Sequence, residues 1–250
     1  MLASSCKNHR VSRWQRAGWD ELVLLSGIAG VAVGAWLLIS LAGLATGQTH
    51  QETEEQILLA LRNPQNLSET AGPWWLREVG RDVSGLGSAV VVITVSMLVC
   101  GLLAMRRQYA QVVLIAVTVA GGYLLSHTLK TLFDRPRPEV VPHLSLVSSA
   151  SFPSGHAMVS SLTYLTLGAL LARSARRRSE KVYLLLGAGV IAFAIGVSRV
   201  FLGVHYPTDV IGGWCAGTAW ALVCWLTAQA ISARRAGRAG GGARSPERSP

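Results

Sequence analysis

Apolar residues cluster in six long stretches, at about 22–46, 84–105, 110–132, 155–173, 182–202 and 208–232. Each reaches roughly the 18 residues or more that a helix needs to cross the hydrocarbon core of a bilayer. Gly, Ser and Thr interrupt them without breaking the pattern, because small residues let neighbouring membrane helices approach closely. The pattern predicts an all-α fold, an integral membrane bundle of six helices. Polar segments between them are short except at 47–83, which begins acidic with Glu52, Glu54 and Glu55. There Thr49 and Glu52 have the spacing of a capping box. Ile57, Leu58 and Leu61 give a short amphipathic helix that Asn63-Pro64 should end. Gly72-Pro73-Trp74-Trp75 has the make-up of a turn with an aromatic interfacial anchor. Segment 47–83 is open to two readings, a lid or lipid gate over a site and a loop moored to the bilayer.

Composition agrees with a membrane protein: 50% of residues are hydrophobic and 14% charged, with mean hydropathy +0.39. A net charge of +10 raises the question of nucleic acid, and its distribution answers it. Lys7, Arg10, Arg13 and Arg16 precede the first stretch, and Arg106 and Arg107 lie between the second and third. Arg173, Arg176, Arg177, Arg178 and Lys181 join the fourth to the fifth, and Arg234, Arg235 and Arg238 follow the sixth. These are alternate loops, so they share one side, and the excess of Lys and Arg marks it as cytoplasmic. The chain therefore divides into a basic cytoplasmic segment 1–20, with Trp14 and Trp19 at the interface, a six-span domain 21–233, and a basic tail 234–250. The tail, rich in Gly, Arg, Ser and Pro, is expected to be disordered. The first apolar stretch is longer than the roughly 7–15-residue core of a signal peptide, which favours an uncleaved anchor. Cys6, Cys100, Cys215 and Cys224 match no disulfide or zinc spacing and serve as small apolar fillers.

Three short segments carry chemistry: Lys130 through Arg137-Pro138, Pro153-Ser154-Gly155-His156, and Ser198-Arg199 through His205-Tyr206-Pro207-Thr208-Asp209. The first two share one loop, and the third lies one pair of helices further on, so all return to the side opposite the basic loops. Pro207 suits the first turn of a helix, where its missing N–H costs nothing. His205 then sits just outside that helix and Asp209 in its first turn, four residues on. A carboxylate there can hold one imidazole nitrogen and leave the other free to attack. Pro153 and Ser154 start the fourth helix, whose exposed N–H groups, with Gly155 allowing close approach, can cradle an anion beside His156. Lys130, Arg137 and Arg199 complete a phosphate clamp. Cations and imidazoles at the edge of lipid are costly to place without a purpose.

The ordered set Lys-x6-Arg-Pro, Pro-Ser-Gly-His and Ser-Arg-x5-His-x3-Asp closely resembles the three-part signature of the type 2 phosphatidic acid phosphatases. That signature is shared with bacterial undecaprenyl-diphosphate and phosphatidylglycerophosphate phosphatases, glucose-6-phosphatase and vanadium haloperoxidases. The resemblance covers 130–209 directly, and every signature position is filled. It implies a haloperoxidase-like core in which His205 attacks phosphorus and forms a phosphohistidine, oriented by Asp209. His156 would protonate the leaving oxygen and later activate water, while Lys130, Arg137, Arg199, Ser154 and the Gly155 N–H hold the phosphate oxygens. It implies no cofactor and no metal, since fixed cations do that work.

The expected protein is an integral multi-pass lipid phosphatase of a bacterial inner membrane, with both termini cytoplasmic and its site open to the extracytoplasmic leaflet. Its partners are a lipid phosphate and membrane lipids, with no nucleic acid and no obligate protein partner. Undecaprenyl diphosphate is the first expected substrate; phosphatidylglycerophosphate or phosphatidate follows, then lipid A. A non-catalytic lipid-phosphate binder or transporter is the alternative of a different class, and it sits poorly with a complete set of catalytic positions. A haloperoxidase is expected to be soluble, against the six apolar spans. Asp134 and Arg135 are read as a loop ion pair, Glu139 as a solvated residue and His127 as structural. His143 and Tyr206 could touch substrate, but nothing in the sequence demands it. Trp214, Trp220 and Trp225 are read as packing or lipid-facing residues.

Overall fold

A computed structural model describes residues 3–45, 48–145 and 149–241. Its helices are α1 (Ala3–Ala45), α2 (Gln48–Ala60), α3 (Trp74–Gly85), α4 (Ala89–Met105), α5 (Tyr109–Phe133), α6 (Gly155–Ser174), α7 (Arg178–Phe201) and α8 (Pro207–Gly241). Between α2 and α3 lie two short antiparallel strands, β1 (Arg62–Asn63) and β2 (Asn66–Thr70). All six apolar stretches fall on helices. Five are long and apolar enough to cross a membrane, and α3 with α4 makes a sixth if the pair counts as one span bent by 46°.

Helix α6 is the hub. It packs against α5, α7 and α8, while α1 runs along α8. Met158 and Leu162 of α6, both fully buried, meet Val92 of α4, Ile115 and Val119 of α5 and Ala216 of α8. Helices α6 and α8 approach closely. A Cβ at Gly213 would strike the Ser154 carbonyl, and one at Gly217 the Met158 carbonyl. Two glycines four apart thus let backbones touch, as small residues do in membrane helix pairs. Outward faces are apolar instead: Trp36, Val90, Leu98, Leu186 and Phe193 are all more than half exposed. That is the arrangement expected when the surrounding solvent is lipid.

Local chemistry accounts for the helix ends. The Ser88 hydroxyl accepts the Val91 N–H at 3.4 Å and so starts α4. Glu180 accepts the Arg176 and Arg177 N–H groups at 3.1 and 3.2 Å at the start of α7. Asp134, left-handed at φ +39°, closes α5.

The structure corrects three local expectations. The second apolar stretch does not run unbroken from 84, since α3 ends at Gly85 and α4 starts at Ala89. Helix α2 begins at Gln48, and the side chain of Thr49, expected in a capping box, lies outside the described residues. The turn expected over Gly72-Pro73-Trp74-Trp75 is confined to its start, with Gly72 at φ +96°, because α3 already begins at Trp74; Pro73 precedes it in an extended conformation, as a proline before a first helical turn allows. Helix α8 runs on to Gly241, since Ala and Arg at 233–239 are good helix formers. The rest of the tail, 242–250, and the side chains of 1–23 lie outside the described residues.

Candidate active site

The C-terminal ends of α5 and α7 and the N-terminal ends of α6 and α8 meet at one end of the bundle. The Ser154 N–H donates to the Asp209 carbonyl at 2.9 Å and locks the starts of α6 and α8 together. Between these ends is a cavity of about 290 Å³. Lys130, Arg137, Gly155, His156, Arg199 and His205 all line it.

Each cation is aimed by oxygen acceptors. Lys130 donates from Nζ to the Ala150 carbonyl at 2.7 Å and the Ser149 hydroxyl at 3.0 Å. Arg137 donates from Nε to the Ser149 carbonyl at 2.7 Å and from Nη1 to the Val204 carbonyl at 2.6 Å. Arg199 donates from Nη1 to the Ser84 hydroxyl at 2.7 Å, so α3 helps aim a residue of α7. No carboxylate lies within 4 Å of these three cations among the described residues, since the ion pairs at this end belong to Arg135 and His205. Their charge is left for a ligand. Packing desolvates Arg137 and lowers its pKa.

His205 is fully buried between Arg137 and Asp209. Its Nε2 lies 3.3 Å from Arg137 Nη1, and its Nδ1 lies 3.4 Å from Asp209 Oδ2. A guanidinium can only donate, so Nε2 carries the lone pair and Nδ1 the proton, which points at the carboxylate. This is the tautomer a nucleophilic Nε2 requires. Burial pushes the His205 pKa down to about 3, despite the opposing pull of Asp209, and keeps the ring neutral. Asp209 accepts much more than the imidazole: Arg135 Nη1 donates to Oδ1 at 2.6 Å, and the Tyr206 N–H (2.9 Å) and the Ser151 hydroxyl donate to Oδ2.

His156 stands in the first turn of α6, at the positive end of the helix dipole. A Cβ on Gly155 would meet only Ser126 Oγ at 3.4 Å and Lys130 Cε at 3.5 Å, both ordinary contacts. Protein packing therefore does not demand glycine here. The space it leaves opens on the cavity, where an anion can come close to the backbone N–H. Ser154 caps the helix from a fully buried position, and its hydroxyl has no partner among the described residues.

Several neighbours escaped the sequence reading. Tyr123, Ser126 and Ser149 line the cavity. Tyr123, Ser126 and Lys130 follow a three-then-four spacing, so a polar stripe on an apolar helix was the available signal. The loop pair Asp134–Arg135 is a correction. Arg135 is buried and bridges Asp209 to Glu54 of α2 at 2.6 and 2.7 Å, because the αL turn at Asp134 points the two residues apart. Burial alone would lower the Arg135 pKa, but the flanking carboxylates raise it. Removing Arg135 would strand buried carboxylates, a change that costs about 3–5 kcal/mol. His127 is exposed, and His143 bonds the Pro138 carbonyl at 2.6 Å. Tyr206 is buried beneath Arg135, 4.1 Å from ring centre to guanidinium. Trp214 and Trp220 donate to the Ala192 and Thr118 carbonyls, which makes them packing residues.

Comparison with known proteins places this geometry in context. Phosphatidylglycerophosphatase B of Bacillus subtilis is 30% identical over 192 residues, covering 75% of this chain and 88% of that protein. A putative undecaprenyl-diphosphatase of Escherichia coli, YbjG, is 32% identical over 71% of this chain and 83% of its own length. The crystal structure of a transmembrane PAP2-type phosphatidylglycerolphosphate phosphatase from Bacillus subtilis superposes with a TM-score of 0.71 at 28% identity, covering 80% of this chain and 96% of that one. Residues 111–232, which hold every candidate catalytic side chain, match the PAP2 superfamily. The chain belongs to the PAP2 superfamily and is a multi-pass membrane phosphatase, a hydrolase of phosphoric esters.

Proposed function

We propose that the protein removes the terminal phosphate of undecaprenyl diphosphate, releasing undecaprenyl phosphate and inorganic phosphate through a phosphohistidine on His205. The observation that carries the chemistry is the His205 ring, buried, neutral and with Nε2 turned towards Arg137 at the cavity wall. In the first step Nε2 forms a bond to phosphorus as the bond to the lipid-side oxygen breaks. His156 gives that oxygen its proton. In the second step His156 takes a proton from water, whose oxygen attacks phosphorus and frees the imidazole. Lys130, Arg137, Arg199 and the N-terminus of α6 with Ser154 and Gly155 hold the equatorial oxygens while charge redistributes.

A lipid diphosphate suits a cavity that carries three cations and no carboxylate. The phosphatidylglycerophosphate reading is second, and the relative that covers 75% of this chain favours it. Orientation belongs to the same proposal. The basic residues at 106–107, 173–178 and 234–235 lie towards the opposite end of the helices from the cavity, which supports cytoplasmic termini and an extracytoplasmic site within the domain 21–233. Headgroups would reach the site from the side while their tails stay in the bilayer.

Purified protein assayed side by side on undecaprenyl diphosphate, phosphatidylglycerophosphate, phosphatidate and lipid A decides between the readings. The polyprenyl substrate should give the highest kcat/KM; if it is the poorest, the first reading is wrong. Activity should fall at both pH extremes, since one histidine must be neutral and the other protonated, and a flat profile would contradict those roles.

A further inference from the structure

Glu54 lies outside the stretch 111–232 that matches the family, and the chemistry above does not use it. Yet it is only 5% exposed and accepts three hydrogen bonds: from Arg135 Nη2 at 2.7 Å, the Thr208 N–H at 2.8 Å and the Thr208 hydroxyl at 2.7 Å. Arg135 carries the connection onward to Asp209 Oδ1 at 2.6 Å and to Thr208 Oγ1 at 2.9 Å. A continuous path therefore runs from α2, through Arg135 and Asp209, to His205. Thr208 and Asp209 both lie in the first turn of α8, so one carboxylate holds the start of the helix that supports the nucleophile.

Anchoring α2 does not need a buried charge. Leu58, one turn further on, already packs with Val141 and Tyr206. A buried carboxylate is costly unless fully paired, so its presence calls for a role that an apolar residue could not fill. Charge supplies one. When His205 attacks, its ring becomes cationic, and Asp209 is the anion beside it. Arg135 fixes the Asp209 carboxylate, but alone it would also cancel that charge. Glu54 offsets Arg135, so the group as a whole keeps one net negative charge facing the ring. On the other face of the ring stand Arg137, with Lys130 and Arg199 across the cavity, which would oppose that cation until phosphate neutralises them.

We propose that Glu54, acting through Arg135, is a positioning residue of the phosphatase: it holds the Asp209 carboxylate in place and preserves its charge for the cationic His205. The proposal rests on the reading of His205 as nucleophile. It gives the extramembrane helix α2 a part in turnover that depends on neither a lid nor a lipid gate.

The test is steady-state kinetics of full-length protein on its best lipid phosphate, with Glu54→Gln, Glu54→Asp and the surface control Glu69→Gln. Glu69 is exposed and, among the described residues, bonds Asn63 and Asn66 within its own hairpin, so its variant should match the parent. Glu54→Gln keeps the shape and removes the charge. It should lower kcat by about 10–100-fold, the size of loss seen when the outer partner of a metal-bound histidine is removed, with KM nearly unchanged. Glu54→Asp should recover part of that loss. Arg135→Lys is the second probe: it should lower kcat in the same way, and combining it with Glu54→Gln should cost little more than the worse single change, as for members of one network. Parent-like kcat in Glu54→Gln would overturn the proposal. So would an equal loss in Glu54→Gln and Glu54→Asp with raised KM and lowered thermal stability, which marks a purely structural role. A parent silent on every lipid phosphate would instead overturn the phosphatase reading beneath it.

Discussion

At the scale of residues, the sequence motifs picked out side chains that fold onto one cavity, but not the arrangement of support around them. Lys130, Arg137, Gly155, His156, Arg199 and His205 were each legible from short patterns, and they converge on one cavity. Glu54 and Arg135 were not legible, because 81 residues separate them in the chain and only folding brings their side chains to 2.7 Å. Arg135 also has an acidic neighbour at 134, and a nearest-neighbour pairing was the natural but wrong inference. Two predictions belong here. Gly155→Ala should leave the fold intact, since its Cβ meets only ordinary contacts, and should lower kcat/KM on the order of 10²-fold by pushing phosphate off the α6 N-terminus. Parent-like kinetics would remove Gly155 from the clamp. The second concerns acid stability. The buried His205 titrates near 3 in the fold but near its ordinary 6.5 once unfolded. Between those values the unfolded chain binds a proton that the folded one refuses, so stability falls as pH drops below about 6.5 and is unaffected by this group above it. Thermal unfolding of His205→Asn in detergent should therefore decline less than the parent between pH 6.5 and pH 4. Parallel declines would show that His205 is not held neutral.

At the scale of elements, apolar periodicity found the spans because lipid imposes a length and a composition on them. It could not find the break between α3 and α4, which depends on where Ser88 restarts the helix, nor the hairpin, whose strands are only 2 and 5 residues long. What brings the two histidines together is the contact of α6 with α8. Gly217→Leu tests it: the side chain would have to displace the Met158 carbonyl and the Ser161 hydroxyl. Overpacking of this kind costs about 1–3 kcal/mol or more. We expect lower thermal stability and lost activity together, whereas the exposed-face change Leu186→Ala should do neither. Full activity in Gly217→Leu would show that the site tolerates a wider helix separation.

At the scale of the whole molecule, one end of the bundle carries the clustered basic residues and the other carries the loops of the candidate site, helix α2 and the hairpin. Charge asymmetry was readable from sequence because it is a property of loops alone. Orientation is checked by cysteine labelling in a background without the native cysteines. A cysteine at Ser68 in the hairpin should react with an impermeant reagent on intact cells, and one at Arg176 only after permeabilisation; the reverse would invert the topology. The central claim, that His205 is the phosphorylated nucleophile, is met most directly by quenching turnover of a labelled lipid phosphate and mapping the trapped phosphate by mass spectrometry under conditions that preserve phosphohistidine. The account predicts label on the peptide that contains His205, and neither label nor phosphate release in His205→Ala. Label on another residue, or turnover that survives His205→Ala, would contradict it.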